Sequence, residues 1–218
     1  MNTRRLSPLI GALAFLLCYL AVSPIAGAFS VGELPLPGSP PTQVHHYLAA
    51  NTVPSLLTGL LQGLSGLGLA VVVGGPLTSE FVAPARRAWL GGLGRMAGWL
   101  AVAAILTSAA MSIVLALIAT TADTELVSGI RNVSFYSGGV THVVALGVFV
   151  LAIVASGGLN RSVRVVAWIA GSLAVLSLLS TVIYYASLFL PLGRLACMVA
   201  LVVAGVSIAR RGALVTAA

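Results

Sequence analysis

Three polar side chains sit inside long apolar stretches, and they are the residues of this chain whose chemistry would matter most. They are His142 in VTHVVALGVF, Gln62 in GLLQGLSG and Arg194 in LPLGRLACM. An imidazole within a membrane span is either a relay for protons or ions, or a hydrogen-bonding post between helices. No Asp, Glu or Lys occurs in any of the predicted spans to pass protons on, so both readings of His142 stand. Gln62 can donate and accept across a helix interface. Arg194 falls one to two turns inside the end of its span. There its long side chain either snorkels to the interface, the expectation here, or attracts anions at an outer vestibule.

Other reactive residue types lack partners. His45 and His46 stand together, but a zinc site needs three or four ligands and only Glu33 is near in sequence. Cys18 and Cys197 lie in separate apolar runs without Cys or His at ligand spacing, which suits small buried hydrophobes. The span residues Thr107, Ser108, Ser172, Ser177 and Ser180 have no nearby ionisable group to activate a nucleophile. Phosphate-loop, metalloprotease, nucleophile-elbow and C-x-x-C patterns are absent. No enzyme activity, cofactor or metal is expected.

The elements that must position these residues are membrane spans. The chain has 218 residues, 59% hydrophobic and only 7% charged, with a mean hydropathy of +1.11. Soluble domains carry about 25% charged residues, so lipid takes the place of water around most of this surface. The net charge of +7 would suit nucleic acid, but there is no Lys and the Arg residues form short clusters between apolar runs. Such clusters are topology signals, and nucleic acid is not an expected partner.

The expected fold class is all-α: a polytopic transmembrane bundle of six spans forming one domain over 1–218. Spans are expected at about 6–29, 53–75, 96–119, 134–156, 165–185 and 188–209, each close to the ~20 residues that cross a bilayer. Residues 1–28 carry a basic head, an apolar run and Ala26-Gly27-Ala28, so a cleaved signal peptide competes with a retained first helix. The length of the run favours the helix. Residues 30–52 form a proline-rich outer segment, with Ser39 as cap of a short surface helix from Pro41 to Ala50. Pro76 to Gly94 is the longest inner loop, with Trp89 as an interface anchor. Thr120 to Arg131 is a polar outer loop, Asn160 to Arg164 a tight inner turn, and Pro191 with Arg194 interrupts the sixth span.

The charges agree with this path. Arg4, Arg5, Arg86, Arg87, Arg95, Arg161, Arg164, Arg210 and Arg211 fall on one side, and only Arg131 and Arg194 on the other. Positive charge concentrates on the cytoplasmic side, so both termini are placed in the cytoplasm.

Small residues define the packing faces. Gly138, His142, Ala145, Phe149, Ala152 and Ser156 share one stripe of the fourth span, facing the bundle, with Val144, Val148 and Leu151 elsewhere. Ser55, Gly59 and Gly63 invite close approach in the second, and Ala167, Gly171, Ala174 and Thr181 in the fifth. A faint repeat is also present. Arg-x-x-x-Trp opens the third span (Arg95 to Trp99) and the fifth (Arg164 to Trp168), while Gln62 and His142 occupy similar places in the spans before them. Duplicated hairpins would put those two at matching depth.

The segments YLAAN, GGVTHVVALGVF and LPLGRLACMVALVVAGVSIARR resemble multi-spanning membrane proteins of actinobacteria whose role is unknown. The resemblance implies a six-helix membrane protein and no particular activity. Arginine without lysine, amid Ala, Gly, Val and Leu, also fits a GC-rich bacterial genome. Two functions fit. The first is a small inner-membrane accessory component whose partners are the bilayer and either another membrane protein or a second copy of itself. The alternative is a carrier or channel for a small solute, with Gln62, His142 and Arg194 along its path. A cavity reaching the middle of the bundle separates the two.

Overall fold

The computed structural model describes residues 3–36, 38–75, 88–155, 159–181 and 189–216. Among these residues there is no strand. The helices are α1 (Thr3–Gly27), α2 (Pro41–Ala50), α3 (Thr52–Gly74), α4 (Ala88–Ile118), α5 (Thr124–Phe135), α6 (His142–Ala155), α7 (Arg161–Leu176) and α8 (Phe189–Thr216). A π-helical segment, Tyr136–Thr141, joins α5 to α6, and a 3₁₀ turn, Ser177–Thr181, extends α7. Six of the resulting rods are long and apolar enough to cross a membrane, the fourth being Thr124–Ala155. The chain is an all-α, multi-pass membrane bundle.

Its outer surface explains the composition. Leu17, Leu60, Leu64, Leu67, Leu100, Leu117, Trp99 and Trp168 are all exposed along the spans. No water-soluble protein tolerates an apolar belt of that extent, whereas lipid solvates it.

The spans form a ring in chain order. α1 packs on α3, α3 on α4, α4 on α6, α6 on α7, α7 on α8, and α8 returns to α1. α6 also touches α8 across the ring. The Thr124–Ala155 rod is accordingly the most buried of the six, and its stripe of Gly138, His142, Ala145, Phe149 and Ala152 is buried.

Close approach rests on glycine at defined points. A Cβ on Gly59 would stand 2.6 Å from Ile113 Cγ1 and 2.8 Å from the Ala109 carbonyl. One on Gly193 would stand 2.6 Å from Ala174 Cα. Only a residue without a side chain lets those backbones meet. At Gly63 the nearest atom would be 3.9 Å away, so the expected close approach through that residue is absent.

Several boundaries differ from the sequence expectation. α4 is already helical at Ala88, eight residues before the predicted span, although Gly91, Gly92 and Gly94 are poor helix formers. Most of the predicted outer loop 120–131 is helical. Asp123 caps α5 by accepting from the Leu126 N–H at 2.9 Å, which stabilises a helix start there. The predicted turn Asn160 to Arg164 is instead a cap and first helical turn, with Asn160 Oδ1 accepting from Val163 N–H. Pro191 does not interrupt α8, which runs as one helix from Phe189 to Thr216. The cap of α2 is Pro40 without a side-chain bond, rather than Ser39, and Pro41 takes the first helical position. The predicted inner loop up to 87, including Glu80, Arg86 and Arg87, lies outside the described residues, as do 182–185 of the fifth span.

Candidate functional site

α2 and the segment before it form a strap over one end of the bundle, the end that the arginine bias assigns to the outside. Asn51 fixes the strap. Its side chain is buried and accepts from Val31 N–H at 2.8 Å. It also donates to the carbonyls of Val31 at 3.0 Å and Tyr47 at 2.8 Å. All of its near partners are backbone groups that would otherwise be unpaired. His45 contributes a further tie through the Ala122 carbonyl, 3.2 Å away. Among the described residues no group of three His, Cys, Asp or Glu is arranged to hold a metal.

Beneath the strap lies a partly open cavity of about 770 Å³. Tyr19 and Ser23 of α1, Thr58 and Gln62 of α3, Ser108 and Ser112 of α4, Arg131 and Ser134 of α5, and Arg194 of α8 supply its polar lining. Val22, Leu48, Leu115, Phe135, Val140 and Leu190 are among the apolar residues between them. Gln62 stands at the midpoint of α3, so the cavity extends from the strap to about the middle of the bundle. Below that level the ring is packed by Val73, Ala101, Phe149, Val150, Met198 and Leu201, all buried.

Both non-α segments within the spans border this cavity. Tyr136, Gly139 and Val140 of the π segment and Ser180 of the 3₁₀ turn line it. Such segments release carbonyl groups from the regular ladder and recur at functional positions. The Gly138 carbonyl is used in this way: it accepts a hydrogen bond from the Arg194 guanidinium. A side chain at Gly138 would collide with Ser108, whose Oγ lies 3.0 Å from Ser134 Oγ.

Arg194 therefore does not snorkel. Its guanidinium turns inward, bonded to Gly138 and lying over the Tyr19 ring at 5.0 Å from the centroid. A carbonyl and an aromatic face inside the bundle supply what the lipid interface was expected to supply. Its Nε remains buried without a partner, as do Gln62 Oε1 and Ser180 Oγ.

The three predicted site residues do not form one constellation. Gln62 and Arg194 share the cavity, while His142 is absent from its lining. The imidazole is fully buried. Its Nδ1 lies 2.9 Å from the Ala101 carbonyl, and Phe15 meets it edge-on at 5.9 Å between ring centroids. A carbonyl only accepts, so Nδ1 carries the proton; Nε2 has no partner. In depth His142 and Gln62 are closer. Gly138 packs on Ser108 and Gly94 on Ala152, which sets His142 level with about Ile105, and Ile105 in turn packs on Gly66. That is about four residues below Gln62, or ~6 Å along the helix. The two lie at comparable depth, but only Gln62 reaches the cavity.

Sequence reasoning did not place Arg131, Tyr19 or the serines at a common site. A signal for the first was present: Arg131 and Arg194 are the two exceptions to the arginine bias, and both line the same cavity. No protein family, curated protein or solved structure matches this chain.

Proposed function

We propose that this protein is a carrier of the bacterial inner membrane that takes a small solute from the outer side into the bundle. One observation carries the reading: a cavity reaches the middle of the ring, lined by Gln62 and Arg194 and bordered by the two non-α segments. An accessory protein that only packs against a partner has no use for a polar space at that depth, and burying unpartnered polar atoms there is costly. Carriers bind near the midplane beside irregular helix segments. The packed lower half is then the closed gate of an outward-open state, with Gly98 and Gly205 at the close contacts between its helices.

Thiol accessibility tests this. In a Cys18→Ala background, Thr58→Cys should react with a membrane-impermeant maleimide from the outer side. The buried Cys197 is the internal control for intact packing. A carrier must also expose the lower half in its other state, so Ala101→Cys should react from the cytoplasmic side of inverted vesicles. If Ala101→Cys stays inert while Thr58→Cys reacts, the cavity is a blind pocket. The accessory role would then replace the carrier role.

A further inference from the structure

Among the described residues, the cavity lining holds two arginines and no carboxylate. Arg131 and Arg194 both line it. Neither Glu33, Asp123 nor Glu125 is among its lining residues, and the chain's fourth acid, Glu80, lies outside the described residues. A cation inside a span without a counter-ion is costly, because little water is present to screen it. Arg194 has settled that cost only in part: one nitrogen bonds to Gly138, Tyr19 faces the guanidinium, and Nε points nowhere. Arg194 itself lines a cavity of about 770 Å³, large enough for an organic ligand, since such pockets run from about 300 to 1,000 Å³.

The remaining lining narrows the chemistry. Hydroxyls of Thr58 and Ser180 can donate to an oxyanion, and Gln62 can do so through its amide. Leu36, Leu48, Leu115 and Leu190 supply an apolar wall toward the strap end. A bare inorganic ion would leave that wall wet. A purely apolar guest would leave two guanidinium groups unanswered.

We propose that the cavity binds an amphipathic organic anion, its oxyanion held by Arg194 and Arg131 and its apolar body resting on the leucines beneath the strap. The inference rests on the carrier reading for the use of the site, but not for its charge selectivity. An organic phosphate or carboxylate dissolved outside, or the headgroup and upper chain of an anionic lipid, would present this same chemistry. Arginine suits this role because its planar fork matches an oxyanion better than a point charge does.

Calorimetric titration of the full chain in phosphatidylcholine nanodiscs tests the proposal. The probes are hexyl phosphate, hexanol, hexylammonium and inorganic phosphate. Hexyl phosphate should bind at least tenfold more tightly than each of the other three. Arg194→Gln should weaken hexyl phosphate at least tenfold while leaving hexanol unchanged, which also reports that the variant is folded. Where Arg194→Gln does not fold, Arg131→Gln gives the same reading from the other arginine. Equal affinity for hexylammonium, or arginine variants that bind hexyl phosphate as the parent does, would overturn it. Equal affinity for inorganic phosphate would overturn the apolar half. Dihexanoyl phosphatidic acid separates the two sources: binding more than tenfold tighter than hexyl phosphate assigns the anion to the bilayer, and weaker binding assigns it to solution. Anion selectivity with an inert Ala101→Cys would leave the ligand class standing and remove the carrier. Reactive cysteines without anion selectivity would do the reverse.

Discussion

Adding one methyl group at Gly138 should disturb both the cavity and the fold, and the effect can be worked through. A Cβ there would fall 2.5 Å from Ser108 Cβ and overlap the hydroxyl as well. Ser108 cannot simply swing aside, since its Oγ is paired with Ser134 at 3.0 Å and both residues are buried. Overpacking of this kind costs about 1–3 kcal/mol. Loss of the serine pair adds about 0.6 kcal/mol. The better helix propensity of alanine returns up to ~1 kcal/mol, which leaves Gly138→Ala destabilising on balance. Ser108→Gly removes the colliding atoms, so the double variant should be more stable than the sum of the two single changes by ~1 kcal/mol or more. Unfolding titrations with dodecyl sulfate in mixed micelles measure all four corners of the cycle. The hexyl phosphate titration reports whether the Gly138 carbonyl still reaches Arg194. Additive effects of the two substitutions, or a Gly138→Ala protein as stable as the parent, would refute this account of the π segment.

Three further outcomes are expected. Asn51→Ala breaks the bonds to Val31 and Tyr47, so it should cost about 1–3 kcal/mol and speed amide exchange across residues 30–36, as read by mass spectrometry. His142→Leu removes one interhelical bond, worth at most ~2 kcal/mol. Because the imidazole does not line the cavity, probe affinity should stay within twofold, and a tenfold loss would return His142 to the site. Reporter fusions after Ala50 should read as external and fusions at the C-terminus as internal, with one firm reversal refuting the arginine-based orientation.

The spans were legible because lipid imposes one rule on long segments: they must be apolar and must pair their own backbone groups. The inward stripe of the fourth span was legible for a similar reason. Gly138, Ala145 and Ala152 recur at helical spacing, and only the bundle side rewards small residues. The cavity was not legible, because it exists between helices. Tyr19, Gln62, Ser108 and Arg194 come from four spans, and no spacing within one segment encodes which of them face each other. His142 left two readings open for a physical reason. A lone polar residue in a span signals an interior position, but a packed interior and a hollow one look alike in sequence. Arg194 misled, since its place near a span end fits both snorkelling and an inward turn. Nothing in its own segment mentions the Gly138 carbonyl or the Tyr19 ring. Helix starts were missed where a single side chain decided them, as Asp123 does for α5.

A ring whose neighbours in space are its neighbours in sequence can be assembled one wall at a time. Each helical hairpin entering the bilayer finds its partner already beside it, so five of the six joints need no search. Only the joint between α8 and α1 waits for the last of the six spans. There Gly205 meets the Leu9 backbone, with 2.9 Å left for a Cβ, and Arg194 reaches Tyr19 across the same joint. The two chain ends share one face of the membrane and belong to adjacent helices. A short tether between them, with a new break in another connection on that face, would give a permuted chain of unchanged orientation. Such a chain would move the last joint to a different pair of helices. The order of synthesis could then be varied while the finished bundle stays the same.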